Sequence, residues 1–76
     1  MTMALVLINA DIGRDKEVVD QLRKIEGVSE AYTVYGAYDI VVKVEAATQE
    51  KIKGIVFSKI RMLDYIRSTL TLVGAE

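Results

Sequence analysis

Two apolar, β-rich runs meet at a short turn around Gly36, and this pairing constrains the fold more than any other stretch of the chain. The runs cover Val28 to Tyr35 and Tyr38 to Ala46, and both are dense in Val, Ile and Tyr. These residue types suit a pleated, half-buried surface. Gly36 permits the positive φ that a tight turn often requires. The pattern therefore predicts a β-hairpin.

The chain is small and lacks the residues that usually reinforce small domains. It has 76 residues, of which 51% are hydrophobic, and it contains neither Cys nor His. A domain of this size buries only about 60% of the surface that its unfolded chain exposes. Disulfides and the usual zinc and thiolate sites are excluded by this composition. We therefore predict one domain over residues 1–76, no metal and no cofactor, with self-association as the remaining source of stability.

Charge and hydropathy exclude further classes of protein. The net charge is −1 and the pI is near 5.4, whereas nucleic-acid-binding domains normally carry a basic face and a basic pI. The apolar start, Met1 to Asn9, lacks the basic region and cleavage site of a signal peptide. No apolar run approaches the roughly 20 residues that a membrane span needs. We predict a soluble, cytoplasmic protein that contacts neither nucleic acid nor membrane directly.

Hydrophobic periodicity supplies the remaining elements. The continuous apolar run Met3 to Asn9 predicts a strand buried on both faces. Helical stripes predict helices at Arg14–Ile25 and Gln49–Ile60, and alternation predicts a last strand at Ile66–Val73. The stripe residues are Val18, Val19, Leu22 and Ile25 in the first helix, and Ile52, Ile55, Val56, Phe57 and Ile60 in the second.

Three residues mark helix ends and one irregularity. Gly27 is the expected C-cap of the first helix, and Thr48 is the expected N-cap of the second. Gly54 lies inside the second helix, where glycine costs about 1 kcal/mol relative to alanine. We therefore expect a packing reason for Gly54.

The order β-α-β-β-α-β consists of two similar halves that are offset by 38 residues. The segment 25–28 (IEGV) matches the segment 63–66 (LDYI), and Gly36 matches Gly74. Two βαβ units of this kind form the α+β ferredoxin-like fold. We predict a four-stranded antiparallel sheet with both helices on one face.

Nothing in the chain is left to cover the other face of that sheet, which we call the bare face. We expect Ala31, Val41, Thr69 and Val73 to lie there beside one face of the first strand. An exposed apolar patch of roughly several hundred Å² is unusual on a soluble monomer. Two chains are therefore predicted to pair through their bare faces with two-fold symmetry.

The side chains favour binding over catalysis. Without His or Cys the chain lacks the common base–nucleophile pairs, and its serines, Ser29, Ser58 and Ser68, have no evident partner. No phosphate-binding glycine motif occurs.

A small zwitterion fits the remaining chemistry. The Gly36 turn offers backbone N–H groups to a carboxylate, and Asp39 suits an ammonium group. Thr69 and Thr71 would add hydroxyls from an outward face of the last strand. A free amino acid is one such ligand, although Asp39 is equally well interpreted as an acid that caps the turn.

The chain resembles a known family over nearly its whole length, from Met3 to Val73. The segment Ala31–Val44, with its turn Gly36-Ala37-Tyr38-Asp39 before a Val-rich strand, and the segment Ile66–Val73 are similar to the effector-binding domain of the Lrp/AsnC transcription regulators, also called the RAM module. Those regulators carry an N-terminal helix-turn-helix domain. These 76 residues contain no such segment, so we expect a member of the stand-alone kind.

The resemblance implies a dimer that assembles into octamers or decamers and binds an amino acid between dimers. We further hypothesise that the chain modulates a full-length Lrp/AsnC regulator by forming mixed oligomers with it. The chain departs from the family at one turn. Members of the family often have a glycine turn before the last strand, and this chain has Asp64-Tyr65 at that position. The matching ligand positions are Tyr35, Gly36, Tyr38, Asp39, Thr69 and Thr71.

Two alternatives to a non-enzymatic amino-acid sensor remain. One is a structural or adaptor oligomer that binds no ligand, which a response of assembly or stability to amino acids would exclude. The other is a small ferredoxin-like enzyme. Such an enzyme needs a polar pocket residue on the helix-facing side of the sheet, and that side is predicted to be apolar.

Overall fold

A computed structural model describes residues 2–74 of the chain. Its sheet has the strand order β2-β3-β1-β4, and every neighbouring pair is antiparallel. The elements are β1 (Thr2–Ala10), α1 (Asp15–Leu22), β2 (Val28–Thr33), β3 (Ile40–Ala46), α2 (Gln49–Ile55), a π-helical turn (Val56–Ile60) that continues α2, and β4 (Ile66–Val73). The predicted βαββαβ ferredoxin-like fold is confirmed.

One face of the sheet and the two helices enclose the core. Packing places α1 over β2 and β3, and α2 over β1 and β3, so the helix side of β4 is the least covered part of the sheet. The sheet contributes Ala4, Val6, Ile8, Ala10, Ala31, Ile40, Val42 and Val44 to the core, and the helical segments contribute Val18, Val19, Leu22, Ile52, Val56 and Ile60. Within residues 2–74, no helix is long and apolar enough to cross a bilayer.

Local sequence signals account for the start of each helix. Asp15 and Glu17 lie in the first turn of α1, where negative charge is favoured by the helix dipole. Thr48 is the predicted N-cap of α2, and its side chain accepts a hydrogen bond of 3.1 Å from the N–H of Lys51. A capping bond of this kind typically stabilises a helix by about 1 kcal/mol.

The second helix departs from the prediction in its last turn. Residues Val56–Ile60 form a π-helical turn, closed by a hydrogen bond from the N–H of Arg61 to the carbonyl of Val56. Phe57 was expected in the buried stripe, but it is 67% exposed, and the guanidinium of Arg61 lies over its ring. The wider turn keeps Val56 and Ile60 above the sheet and rotates Phe57 out of the core.

The chain's own fold supplies no packing reason for Gly54. Within the described part of the chain, and apart from its own helix backbone and chain neighbours, no heavy atom lies within 4 Å of the position that a Cβ on Gly54 would take. A contact with a second copy stays a prediction.

The internal repeat is visible in the turns that follow the helices. The N–H of Ile25 donates to Leu22, and 38 residues later the N–H of Leu63 donates to Ile60. Gly27 has φ +101°, and Tyr65, its counterpart, has φ +72°. The Asp64-Tyr65 departure therefore keeps the left-handed backbone that a glycine adopts without steric cost.

An extra residue interrupts the alternation near the start of each edge strand, at Ser29 in β2 and at Arg67 in β4. Opposite residues of an antiparallel pair share a face. Ala31 is opposite Val42, Thr69 is opposite Ile8 and Val73 is opposite Ala4, so all three face the helices.

The expectation that Ala31, Thr69 and Val73 lie on the bare face was therefore wrong. Strict alternation places Val28 and Ala31 on different faces of the sheet, whereas the bulge at Ser29 puts both side chains on the helix side. Val41 does lie on the bare face, as expected, because it is paired with Leu7 and Tyr32.

On the bare face, one row of side chains without a charged group crosses all four strands, and the next row has an ion pair on its β2 side. One row across the four strands consists of Tyr32, Val41, Leu7 and Leu70, and the next consists of Glu30, Lys43, Leu5 and Leu72. In the single chain Leu70 is 43% exposed, Leu72 is 49% exposed and Tyr32 is 51% exposed. The first strand is thus apolar on both faces, as the sequence predicted.

Candidate functional site

The loop between β2 and β3 covers residues 34–39 and projects from the end of the sheet. Tyr35 is fully exposed. Gly36 has φ +138°, and no other group lies within 4 Å of its Cβ position. Within residues 2–74, the N–H groups of Gly36 and Ala37 donate to no backbone carbonyl. The loop therefore presents backbone donors that an incoming molecule can reach.

Asp39 anchors this loop to β1. Its Oδ2 accepts a hydrogen bond of 3.0 Å from the N–H of Ala10, which lies at the bulge where β1 ends. The backbone N–H of Asp39 donates to Ile8 at 2.9 Å, and its carbonyl accepts from Val34 at 2.8 Å. Asp39 thus performs the turn-capping role that the sequence left open, and it does so with one of its two carboxylate oxygens.

Thr69 and Thr71 lie on the helix side of β4, not on an outward face as predicted. Their register opposite Ile8 and Val6 fixes this orientation. Both line a groove of about 490 Å³ between β4 and the π-helical turn. Arg61 and Arg67 line the same groove, and sequence reasoning missed them because the bulge that orients Arg67 has no glycine or proline to mark it.

A single chain does not bring the six predicted ligand positions together. Ile8 of β1 is paired with Ile40 on one side and with Thr69 on the other. Two strand spacings, or about 10 Å, therefore separate the base of the loop from Thr69. Tyr35, Gly36, Tyr38 and Asp39 form one group at the loop, and Thr69 and Thr71 form a second group across β1.

Two local ion pairs shape the surface electrostatics. On the bare face, Lys43 lies 3.8 Å from Glu30, and Glu30 also accepts a hydrogen bond from the hydroxyl of Tyr32. This hydrogen bond raises the pKa of Tyr32. At the start of α1, the hydrogen bond and charge of Glu17 raise the pKa of Arg14. Within residues 2–74, no group of three or more carboxylates is arranged to hold a metal ion.

Comparisons with known proteins place the chain in a family. It matches the model of the Lrp/AsnC ligand binding domain over residues 3–74. It is 41% identical over 76 residues to an uncharacterised HTH-type transcriptional regulator of Pyrococcus furiosus, with 96% of this chain and 51% of that protein covered. The chain thus spans about half the length of the curated relatives that it matches.

Solved structures agree with the sequence comparison. A hypothetical protein from Pyrococcus horikoshii superposes with a TM-score of 0.93 at 36% identity, covering 100% of this chain and 92% of that one. AsnC of E. coli superposes with a TM-score of 0.91 at 25% identity, covering 99% of this chain and 51% of that one. The chain therefore belongs to the Lrp/AsnC family, whose ligand-binding domain residues 3–74 match.

Proposed function

We propose that this chain is an amino-acid effector-binding and oligomerisation module that pairs through its bare face and binds a small amino acid between dimers. The observation that carries the proposal is the apolar row Tyr32-Val41-Leu7-Leu70 across all four strands. Residues 1–76 act in this proposal as one domain.

The bare face supports pairing of two copies. Leu70 and Leu72 are nearly half exposed in the single chain, and contiguous apolar patches of this kind mark interaction sites. Two-fold pairing places the same patch on both sides of the interface. The resulting sandwich buries the side of β1 that the helices leave open.

The separation of the two groups of ligand positions supports a site between chains. The loop of one chain supplies the N–H groups of Gly36 and Ala37 for a carboxylate and the charge of Asp39 for an ammonium group. Thr69 and Thr71 of a neighbouring chain supply hydroxyls. Each chain holds only half of the site, so effector binding and assembly are linked.

The link between effector binding and assembly can regulate other proteins when dimers assemble further. The matched regulators are about twice as long as this chain, and each contains a region similar to it. Dimers of this chain join such regulators in mixed rings of octamer or decamer size, and the bound amino acid shifts the balance between the assemblies. The chain acts by binding, without catalysing a reaction.

Isothermal titration against the twenty amino acids tests the sensing function. We expect heat from at least one of them at millimolar concentration or below. Asp39→Asn keeps an oxygen that accepts from Ala10 but removes the charge that faces the ammonium group. It should weaken binding at least about 30-fold if the site between chains buries the charge pair, since loss of one partner from a buried charge pair costs about 2 kcal/mol or more.

Asp20→Asn is the matched control, since Asp20 is exposed and lies in the last turn of α1, whereas the loop lies at the end of the sheet where α1 begins. It should leave affinity unchanged. If no amino acid produces heat, the chain is an assembly module without an effector. If both variants bind as tightly as the native chain, Asp39 has no part in recognition.

A further inference from the structure

The outer edge of β4 presents unpaired backbone groups. β4 is eight residues long and has β1 as its only neighbour among the described strands. The N–H of Gly74 donates to the carbonyl of Met3 at 2.8 Å. In an antiparallel ladder, hydrogen-bonded residues alternate with residues whose N–H and C=O point the other way. Thr69, Thr71 and Val73 therefore direct their backbone groups away from β1.

This edge lacks the usual protection against a further strand. Natural edge strands are shortened, bulged, or interrupted by proline or charged residues. From Ser68 to Val73 the strand has no charged residue and no proline, and its bulge lies before this stretch, at Arg67. β2, at the opposite edge, is shorter and carries Glu30.

A cationic groove runs beside the same edge on the helix side. The groove of about 490 Å³ continues into a second one of about 420 Å³, and Val56, Arg61 and Thr71 line both. Among residues 2–74, the two grooves are lined by the cations Lys53, Arg61 and Arg67 and by no carboxylate. Within residues 2–74 none of these three cations forms an ion pair. The chain as a whole has a net charge of −1, so the positive charge of this groove is opposite in sign to that of the whole chain.

We propose that the edge of β4 is a docking site for an extended, acidic segment of a partner protein, which adds to the sheet as a fifth strand. Its backbone pairs with Thr69, Thr71 and Val73. Every second side chain then points into the groove, where carboxylates meet Arg61 and Arg67. The intervening side chains continue the bare face beside Leu70 and Leu72, and these are apolar.

The charge of the groove selects this occupant over a second copy of the chain. A second β4 would place its own Arg67 and the uncharged Thr69 and Thr71 on this side, and none of its residues Ile66–Val73 carries a carboxylate to meet the cations. The pattern required of the partner is therefore specific, with acidic and apolar residues in alternation. The proposal goes beyond amino-acid sensing, although it shares Thr69 and Thr71 with the proposed effector site. Its test is therefore performed without amino acid, so that its outcome does not depend on whether an effector binds.

Fluorescence anisotropy with a labelled eight-residue peptide of alternating glutamate and valine tests this docking site on the full chain. We expect saturable binding at least about tenfold tighter than that of the same peptide with lysine in place of glutamate. The double variant Arg61→Gln/Arg67→Gln should weaken binding about tenfold. Lys24→Gln/Lys59→Gln removes two cations that line a different groove, and it should leave binding unchanged.

A second pair of variants tests backbone pairing. Thr71→Pro removes an outward N–H, which edge strands tolerate, and should weaken binding at least about tenfold. Thr71→Ser keeps both the N–H and the hydroxyl and should bind like the native chain. In the complex, amide exchange of Thr69, Thr71 and Val73 should slow.

Four results would overturn the proposal. They are equal binding of the lysine peptide, equal binding by Arg61→Gln/Arg67→Gln, unchanged amide exchange along β4, and displacement of the acidic peptide by a DNA oligonucleotide. The charge-reversed peptide and the arginine variant remain decisive even if Thr71→Pro does not fold.

Discussion

Truncation of Leu72 to alanine should weaken the proposed dimer while leaving the folded chain nearly intact. Leu72 lies on the bare face opposite Leu5 and is 49% exposed in the single chain. Half of its side chain is therefore available to a partner, and the other half already contacts its own chain. The substitution affects the interface twice, because two-fold symmetry repeats it.

The expected magnitude follows from the area left exposed. Complete burial of a leucine side chain contributes about 1.5–3 kcal/mol, so the exposed half contributes about 1 kcal/mol per copy when a partner covers it. Two copies give about 2 kcal/mol, which is about 30-fold in the dissociation constant of the dimer. Lysine at the same position should weaken the dimer further, because a buried, unpaired charge costs more than lost contact.

Sedimentation velocity over a dilution series, from sub-micromolar to near-millimolar protein, measures this constant. Ile12→Ala is the matched control, since Ile12 lies in the loop after β1, is 95% exposed and takes no part in the sheet. It should associate like the native chain. An unchanged constant for Leu72→Ala, or an equal shift for Ile12→Ala, would refute a dimer built on the bare face.

Three further predictions concern the fold. Asp39→Ala removes a charged acceptor and should lower the free energy of unfolding by about 1–2 kcal/mol in chemical denaturation, whereas Asp39→Asn should cost less. Gly13→Ala should lower the free energy of unfolding by about 1 kcal/mol, because alanine is strained at positive φ. Gly27→Ala should lower it more in the same assay, since its Cβ would also crowd the side chain of Ile55. Equal losses for the two variants would contradict this packing. The pKa of Tyr32 is raised because its hydroxyl donates a hydrogen bond to Glu30. The stability that this hydrogen bond contributes is therefore complete below about pH 10, the ordinary tyrosine pKa. It is lost as the pH rises through the pKa of Tyr32 in the folded chain. Tyr32→Phe should remove that part of the alkaline loss in thermal melts, and an unaltered pH profile would contradict it.

The alternation and helical periods of the sequence located the elements well. The strand Ile66–Val73 has the predicted bounds, and the order of elements is the predicted one. The helix ends differ from the predicted ones. The first helix ends at Leu22 in a series of turns, and α2 changes to a π-helical turn at Val56. These changes depend on how each helix sits on the sheet, which local patterns do not encode.

The faces of the edge strands were harder to predict. A bulge at Ser29 and another at Arg67 shift the alternation by one residue, and neither residue type signals a bulge. The internal repeat did contain one usable signal, because Tyr65 occupies the position of Gly27 and adopts the same left-handed backbone.

The candidate site was predictable in composition but not in geometry. The loop around Gly36 is open, as a glycine turn suggested, and Asp39 is close to it. The bond from Asp39 to Ala10 joins residues that are 29 positions apart, so only the folded sheet reveals it. Arg61 and Arg67 reach one groove for the same reason.

Filtered NOE spectra on a mixture of isotope-labelled and unlabelled chains show whether a second copy covers the bare face. We expect inter-chain NOEs from the methyl groups of Leu7 and Leu70 to apolar side chains of the partner's sheet. Spectra without inter-chain NOEs, or with inter-chain NOEs confined to the helix side at Phe57 and Met62, would contradict this pairing.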